Sequence, residues 1–491
     1  MKKLTFLLEH IDVLEIIGNP DVEIAHITFD SRKIVRTGEC GSTTMYVAQR
    51  GTQADGHQYI DPAVEAGAGV ILCEEFPQNL AESTCYVRVA DSSVALGMIA
   101  SAFYGFPSHH IRLVGITGTN GKTTTVTLLH RLFTELGYKV GLLSTIENRI
   151  GEERYPATHT TPDALELNSM LAKMVEQGCA YCFMEVSSHA ICQHRIAGLQ
   201  FAGGIFSNIT HDHLDYHKTF ANYIQAKKAF FDGLPADAFA LTNADDKNGM
   251  VMVQNTEAKV HRYALQTPAE FKGKVIENSF EGLHLDINGR DAYFRLSGRF
   301  NAYNLLCIYS TALLLGADRD EVLLKMSSLG AAAGRFHVIR NHEGGTAIVD
   351  YAHTPDALKN VLSTIRDITD KEEEVLTVVG CGGNRDALKR PVMAEIACQY
   401  SSKVILTSDN PRFEEPDAIL ADMEKGVPSD CAGQVLVIEN RREAIKTACM
   451  MLRTHGVILI AGKGHENYQD VKGVKHHFDD SEEVNHNWNL S

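Results

Sequence analysis

Between residues 112 and 144 the hydrophobic pattern changes period twice. Arg112–Thr117 is a short apolar run of strand length, followed by a glycine-rich turn. From Lys122 to Leu136 the apolar positions Val126, Leu129, Leu132, Phe133 and Leu136 recur at spacings of three and four, the mark of a helix with one buried face. Gly137 is placed to stop that helix, and Lys139–Ser144 reads as a second strand. A strand, turn, helix and strand in this order make the unit of a parallel sheet. The apolar run Tyr181–Val186, entered from a helix closed by Gly178, extends the series. A second α/β series begins near Thr346, with strands expected at Thr346–Asp350, Val375–Gly380, Lys403–Thr407, Gln434–Glu439 and Gly456–Ala461. Strands alternating with helices in sequence predict a doubly wound domain. Residues before about Pro107 read instead as short strands and helices broken by Gly and Asp turns.

These rhythms divide the chain. At 491 residues it is too long for one ordinary core, and about three domains are expected. The Gly- and Ala-rich stretch Gly330–Gly334 is the natural linker before the last, and Glu372–Glu374 reads as a solvated acidic turn. The expected boundaries are 1–108, 109–335 and 336–491, an all-α/β architecture throughout.

Composition narrows the class. Hydrophobic residues at 44% and charged residues at 22% suit a soluble globular enzyme. The formal charge of −16 argues against nucleic-acid binding, since phosphate backbones select basic surfaces. Glu9 and His10 interrupt the N-terminal apolar run too early for a signal peptide, and no stretch approaches the ~20 apolar residues of a membrane span, so a cytoplasmic location is expected. The eleven cysteines are scattered, and Cys179 and Cys182 form one C-x-x-C without a second pair. Buried thiols in a reducing compartment are the expectation, rather than a zinc or redox site.

Thr117-Gly118-Thr119-Asn120-Gly121-Lys122-Thr123-Thr124 lies between strand and helix, where a phosphate loop must be. Backbone N–H groups and the helix N-terminus would cradle phosphates, Lys122 would neutralise the β- and γ-phosphates, and the Thr123 hydroxyl would join Mg²⁺. Ile116 occupies the first glycine position of the common pattern. Switch proteins, kinases and ligases all use such loops, so the loop does not name a reaction.

Two further segments carry candidate chemistry. Met184-Glu185-Val-Ser-Ser-His189 puts Glu185 near a strand end, and His211-Asp-His-Leu-Asp-Tyr-His217 gathers imidazoles and carboxylates. The latter suggests Zn²⁺ or Mn²⁺, is compatible with Mg²⁺ beside phosphates, and also reads as a polar loop. Lys227 and Lys228 are adjacent on a helix, so they point about 100° apart and read by themselves as a solvated face.

Taken in order along the chain, these motifs resemble the Mur ligase family, most closely its UDP-N-acetylmuramoyl-tripeptide synthetase (MurE) type. The matching segments are TGTNGKTT, Thr160-Thr-Pro162, MEVSSHA with Gln193 and Arg195, DHLDYH, Ala226-Lys227, Phe300-Asn-Ala-Tyr-Asn304, Gly334-Arg-Phe336, Asp350-Tyr-Ala-His-Thr-Pro355, Gly380-Cys-Gly-Gly-Asn-Arg-Asp386, Asp409-Asn-Pro-Arg412 and Gly462-Lys-Gly-His-Glu466. The resemblance implies a UDP-sugar-binding N-terminal domain, a central ATPase domain and a C-terminal Rossmann-like domain. It implies that Ser31 and Thr52, Gln53 and Ala54 hold uridine, and that Thr160, Thr161, Ser187, Gln193 and Arg195 grip the muramoyl-dipeptide. Gly118–Thr124, Asn301, Arg335 and Asp350 would hold ATP. Thr123, Glu185, His213 and Lys227 would serve Mg²⁺, the lysine as a CO₂-derived carbamate.

By the same resemblance the reaction is ATP-dependent amide formation on the D-Glu γ-carboxylate through an acyl phosphate, in peptidoglycan-precursor synthesis. Arg385, Asp409, Asn410, Arg412, Gly462 and Glu466 would take diaminopimelate. Arg412 offers the planar fork that a distal carboxylate wants and that lysine, which lacks one, would not use. The partners implied are small molecules and the chain is expected to be a monomer. Three features depart from the pattern: a longer Arg36–Met45 segment, His337 where many relatives carry Glu, and an Ala-rich approach to Gly334.

Overall fold

The structure is a computed structural model that describes residues 1–35, 42–51, 54–157, 159–370 and 372–490. Thr52, Gln53 and most of the long Arg36–Met45 segment lie outside the described residues.

Three large sheets succeed one another along the chain. The first has six strands in the order Lys2–Lys3, Glu23–Thr28, Ser42–Val47, Ala68–Cys73, Cys85–Val89, Val13–Ile17, with its four middle strands parallel. The second has eleven. Its parallel core runs Val140–Leu143, Tyr181–Glu185, Arg112–Thr117, Gly203–Phe206, Phe239–Asn243, Lys259–Ala264, Phe271–Ser279. Antiparallel strands extend it on both edges, Glu147–Ile150 and Glu153–Pro156 on one side, Gly282–Ile287 and Arg290–Phe294 on the other. The third runs His337–Arg340, Thr346–Asp350, Val457–Ala461, Val375–Cys381, Lys403–Ser408, Val435–Val437, parallel except for its first strand.

The apolar runs of the central sheet are continuous because both faces are covered. Leu113, Cys182 and Met184 enter one core, beneath helix Ala164–Glu176 and helix Phe220–Asp232. Val114, Ile116, Tyr181 and Phe183 enter the other, with helix Lys122–Glu135 and helix Arg299–Leu314. Val126, Leu129, Leu132 and Phe133 are buried there as their spacing predicts, and Gly137 ends the first of those helices at φ 90°. Cys179 and Cys182 are both buried thiols, the latter in mid-strand. The antiparallel edges were not anticipated, although Gly282–Ile287 alternates part-exposed and buried residues as a strand with one covered face does.

Order in the two later sheets positions the chemistry. Arg112–Thr117 lies between Tyr181–Glu185 and Gly203–Phe206, so the chain leaves it in one direction and returns on the other side. In the third sheet Val457–Ala461 is inserted between Thr346–Asp350 and Val375–Cys381. Clefts open at the carboxyl ends of parallel strands at such switch points.

Candidate active site

The phosphate loop leaves the end of Arg112–Thr117 and enters helix Lys122–Glu135. Gly118 and Gly121 adopt φ 152° and 87°, and a Cβ at 121 would stand 2.5 Å from Asn304 Oδ1. Ser207 Oγ and Asn208 Nδ2 donate to the Asn120 carbonyl at 2.7 and 3.0 Å, and Asn208 Oδ1 accepts from the Asn120 N–H at 2.9 Å. The loop is therefore shaped by the neighbouring strand end as well as by its own glycines.

Two amines converge beneath it. Lys122 Nζ donates to the Gly118 and Thr119 carbonyls, each at 2.9 Å. Lys227 Nζ donates to the same Gly118 carbonyl at 2.9 Å and lies 4.7 Å from the Tyr223 ring centre. Lys227 is 1% exposed, and Lys228 is buried too, paired with Asp232. The expectation of a solvated face was wrong: helix Phe220–Asp232 packs these two stems inward, and the charged heads find oxygens. Burial, reinforced by the Lys122 charge, holds the Lys227 ammonium well below its usual pKa.

Glu185 closes the adjacent strand, buried, with Oε1 accepting from the Thr145 N–H at 2.8 Å. Thr161 Oγ1 donates to the Glu185 carbonyl at 2.7 Å and accepts from the Ser187 N–H at 3.1 Å. Arg195 donates to the Thr161 carbonyl at 2.8 Å and twice to Gln193 Oε1, while Thr145 Oγ1 donates to Thr160 Oγ1 at 3.2 Å. Thr160, Thr161, Ser187, Gln193 and Arg195 thus form one polar wall beside Glu185. His213 sits at φ 53° with its ring 5.0 Å from His189. Burial drives its imidazole down to about 4 against the pull of Asp212, leaving it neutral at pH 7.

From the other side come groups of the linker and the third sheet. Arg335 donates to Thr123 Oγ1 at 3.2 Å and lies over the Tyr351 ring at 4.7 Å. Asp350 Oδ2 accepts from the Phe336 N–H at 2.7 Å, and burial lifts its carboxyl to about 6 although Arg335 opposes this. Asn301 is buried on helix Arg299–Leu314, donating to the Ser297 carbonyl and accepting from Asn304 Nδ2 at 3.0 Å. Asp356, at the start of helix Pro355–Ile368, accepts from Asn120 Nδ2 at 2.9 Å and Thr210 Oγ1 at 3.2 Å. The third sheet's cleft is thereby fastened onto the phosphate loop.

A second cluster lines the carboxyl ends of the third sheet. Asn410 Nδ2 donates to Glu466 Oε2 at 2.7 Å, and buried Lys463 donates to Asn410 Oδ1 at 3.0 Å and Glu466 Oε2 at 3.3 Å. Asp409 Oδ1 lies 3.7 Å from the same ammonium. Arg412, at φ 51°, donates from Nη1 to the Gly383 carbonyl at 2.9 Å. A Cβ on Gly382 would be 2.8 Å from that nitrogen and 3.8 Å from the exposed Arg385's Cγ, so both arginines flank this turn. Gly462, at φ 121°, would put a Cβ 2.6 Å from Asp409 Oδ2. The first cluster gathers cations at the phosphate loop, and the second sets carboxylates beside a lysine and a guanidinium group.

The comparisons agree with that geometry. Three family models match in order: the Mur ligase family catalytic domain over residues 23–104, the Mur ligase middle domain over 116–312, and the glutamate ligase domain over 334–464. A UDP-N-acetylmuramoyl-L-alanyl-D-glutamate–2,6-diaminopimelate ligase from Cytophaga hutchinsonii is 58% identical over 475 residues, 96% of each chain. The chain belongs to the Mur ligase family. A similarly named ligase of Phocaeicola vulgatus is 55% identical over 98% of each chain. A solved structure bearing the same enzyme name superposes with a TM-score of 0.67 at 32% identity, covering 95% of both chains. The three-domain architecture expected from the resemblance is that of this family.

The sequence left some residues of the Mur ligase site unassigned. Asn304 lies one helical turn after Asn301 in the quoted motif, and Lys463 stands between Gly462 and Glu466. Asp356 follows Pro355 directly, with only its place at a helix start to draw notice. Ser31 lies in the short turn Ser31–Lys33, with Asp30 capping it by accepting from the Arg32 N–H, and Ala54 is exposed, so the described part of the segment expected to hold uridine is at the surface of the first domain. No described helix is long and apolar enough to cross a membrane.

Proposed function

We propose that the chain is an ATP-dependent amide ligase that joins diaminopimelate to the D-Glu γ-carboxylate of UDP-N-acetylmuramoyl-L-alanyl-D-glutamate, in peptidoglycan-precursor synthesis. The observation that carries this reading is the pairing of a phosphate loop with an acceptor pocket holding two carboxylates, buried Asp409 and part-buried Glu466, and the guanidinium fork of Arg412. The names of relatives at 55–58% identity support the same substrates.

In the chemistry this implies, the γ-carboxylate attacks the ATP γ-phosphate in line while Lys122 and the amides of Gly118–Thr124 take up the developing charge. Asn301 and Asp350 hold the nucleoside, and Arg335 with Thr123 closes the loop over the phosphates. ADP leaves an acyl phosphate. The neutral amine of diaminopimelate then attacks its carbonyl, the C–O bond to phosphate breaks, and inorganic phosphate and a proton leave as the amide forms, so activity falls at acid pH as that amine takes a proton. Asp356 draws the two clefts together and helps keep water from the acyl phosphate.

The residues suit Mg²⁺. Glu185 supplies a buried carboxylate, His213 a neutral imidazole, and Lys227 a buried amine whose pKa is lowered by desolvation, which favours the free-base form that adds CO₂ to become an anionic oxygen donor. Bound Mg²⁺ would neutralise phosphate charge there. Ser31 with Thr52–Ala54 binds the uridine end, and the wall from Thr160 to Arg195 orients the dipeptide toward Lys122.

The test offers diaminopimelate and lysine together with UDP-N-acetylmuramoyl-L-alanyl-D-glutamate, ATP and Mg²⁺, and reads products by mass. A diaminopimelate adduct in excess is expected. A lysine adduct in excess overturns the acceptor assignment, and ADP release that needs no amino acid overturns the ligase.

A further inference from the structure

Lys463 is the buried cation of the acceptor pocket that the proposed chemistry leaves without a task. It is 0% exposed, and its ammonium reaches Asn410 Oδ1 at 3.0 Å, Glu466 Oε2 at 3.3 Å and Asp409 Oδ1 at 3.7 Å. The stem is locked on both sides. Gly462 meets Asp409, while Gly464, at φ 52°, would put a Cβ 2.7 Å from the Gly334 carbonyl and from Tyr351. Lys463 also fixes a neighbour's amide. Asn410 Oδ1 accepts from Lys463 and from the Asp470 N–H at 2.9 Å, which leaves Asn410 Nδ2 to face Glu466 at 2.7 Å.

We propose that Lys463 determines acceptor specificity by neutralising, from inside the protein, one of the two carboxylate charges of the pocket. Asp409 and Glu466 bring two negative charges, and Lys463 takes one, so one remains for one incoming ammonium. Arg412 remains for one incoming carboxylate, while the exposed Arg385 is screened by water. The pocket is thereby balanced for a distal zwitterion. An acceptor ending in an ammonium alone leaves Arg412 without a counter-charge. Without Lys463 one negative charge is in surplus: the second carboxylate compensates Arg412, repels an incoming carboxylate and favours a bare ammonium. The inference rests on the diaminopimelate reading of this pocket and deepens it.

The experiment measures kcat/KM for diaminopimelate and for lysine in the wild type, in Lys463→Met and in Lys463→Gln, at saturating ATP and UDP-sugar. The ratio of the two constants does not depend on how much protein is folded, and the glutamine variant keeps a donor for Glu466. An added charge about 6 Å from the ligand at the effective dielectric of a protein predicts a fall in the diaminopimelate-to-lysine ratio of roughly ten- to a hundredfold in both variants. A ratio that stays constant while both activities decline together makes Lys463 a prop and overturns the proposal. A wild type that prefers lysine overturns the acceptor assignment instead.

Discussion

Replacing Arg412 with alanine tests the acceptor pocket at its most specific point. The side chain is held at φ 51° with Nη1 on the Gly383 carbonyl, which leaves the remaining guanidinium edge for a ligand. Hydrogen bonds to charged groups contribute about 1.5–3 kcal/mol each. A bidentate pair in a half-buried pocket, discounted for screening by water, amounts to about 3 kcal/mol. At 1.4 kcal/mol per decade this is roughly a hundredfold in kcat/KM for diaminopimelate. Arg412→Lys keeps the charge but loses the fork, so it should recover only part of the loss. Acceptor-dependent ADP release, followed by a coupled assay over a range of each amino acid, measures both. Lysine has no distal carboxylate, so its kcat/KM should not fall in either variant. If diaminopimelate and lysine lose activity equally, Arg412 shapes the loop and does not read the acceptor, and the specificity argument fails.

Lys227→Met should lower turnover about a thousandfold, since an anchored metal contributes several kcal/mol, and a carbamate ¹³C resonance formed from labelled bicarbonate should vanish with it; a variant with ordinary turnover contradicts the role. Asp356→Ala removes the acceptor shared by Asn120 and Thr210, so ADP release should outrun tripeptide formation as water reaches the acyl phosphate; strict one-to-one stoichiometry would refute the fastening role. Asp480→Ala strands Arg441, which is fully buried and pairs with Asp480 through two bonds of 2.8 and 2.7 Å, and should cost about 3–5 kcal/mol in urea denaturation. Burial depresses His353 to about 4 and His465 to about 3, so between pH 6.5 and those values the unfolded chain binds protons that the folded chain refuses. Stability should therefore fall as pH drops through that window, and His465→Gln should flatten the slope; an unchanged slope speaks against the burial argument.

Much of this was legible in the chain. The period change at residue 112 gave the strand, loop and helix that position Lys122, and the later alternation gave the third sheet, because a parallel sheet covered on both faces must write its strands as apolar runs. What stayed illegible depends on tertiary partners. Lys227 and Lys228 look solvated until helix Phe220–Asp232 is seen to bury both. The strands from Phe271 to Phe294 extend the edge of the central sheet, a partner that their own alternation does not name. Lys463 and Asp356 are ordinary charges in sequence, and only the approach of Glu466 to one and of Asn120 to the other gives them meaning.

One γ-carboxylate oxygen must move to phosphorus before the amide forms. UDP-N-acetylmuramoyl-L-alanyl-D-glutamate labelled with ¹⁸O in that carboxylate, turned over with ATP and diaminopimelate, should deliver one ¹⁸O to inorganic phosphate for each tripeptide made. Unlabelled phosphate, or label appearing in a nucleotide, would contradict activation as an acyl phosphate at the Lys122 loop.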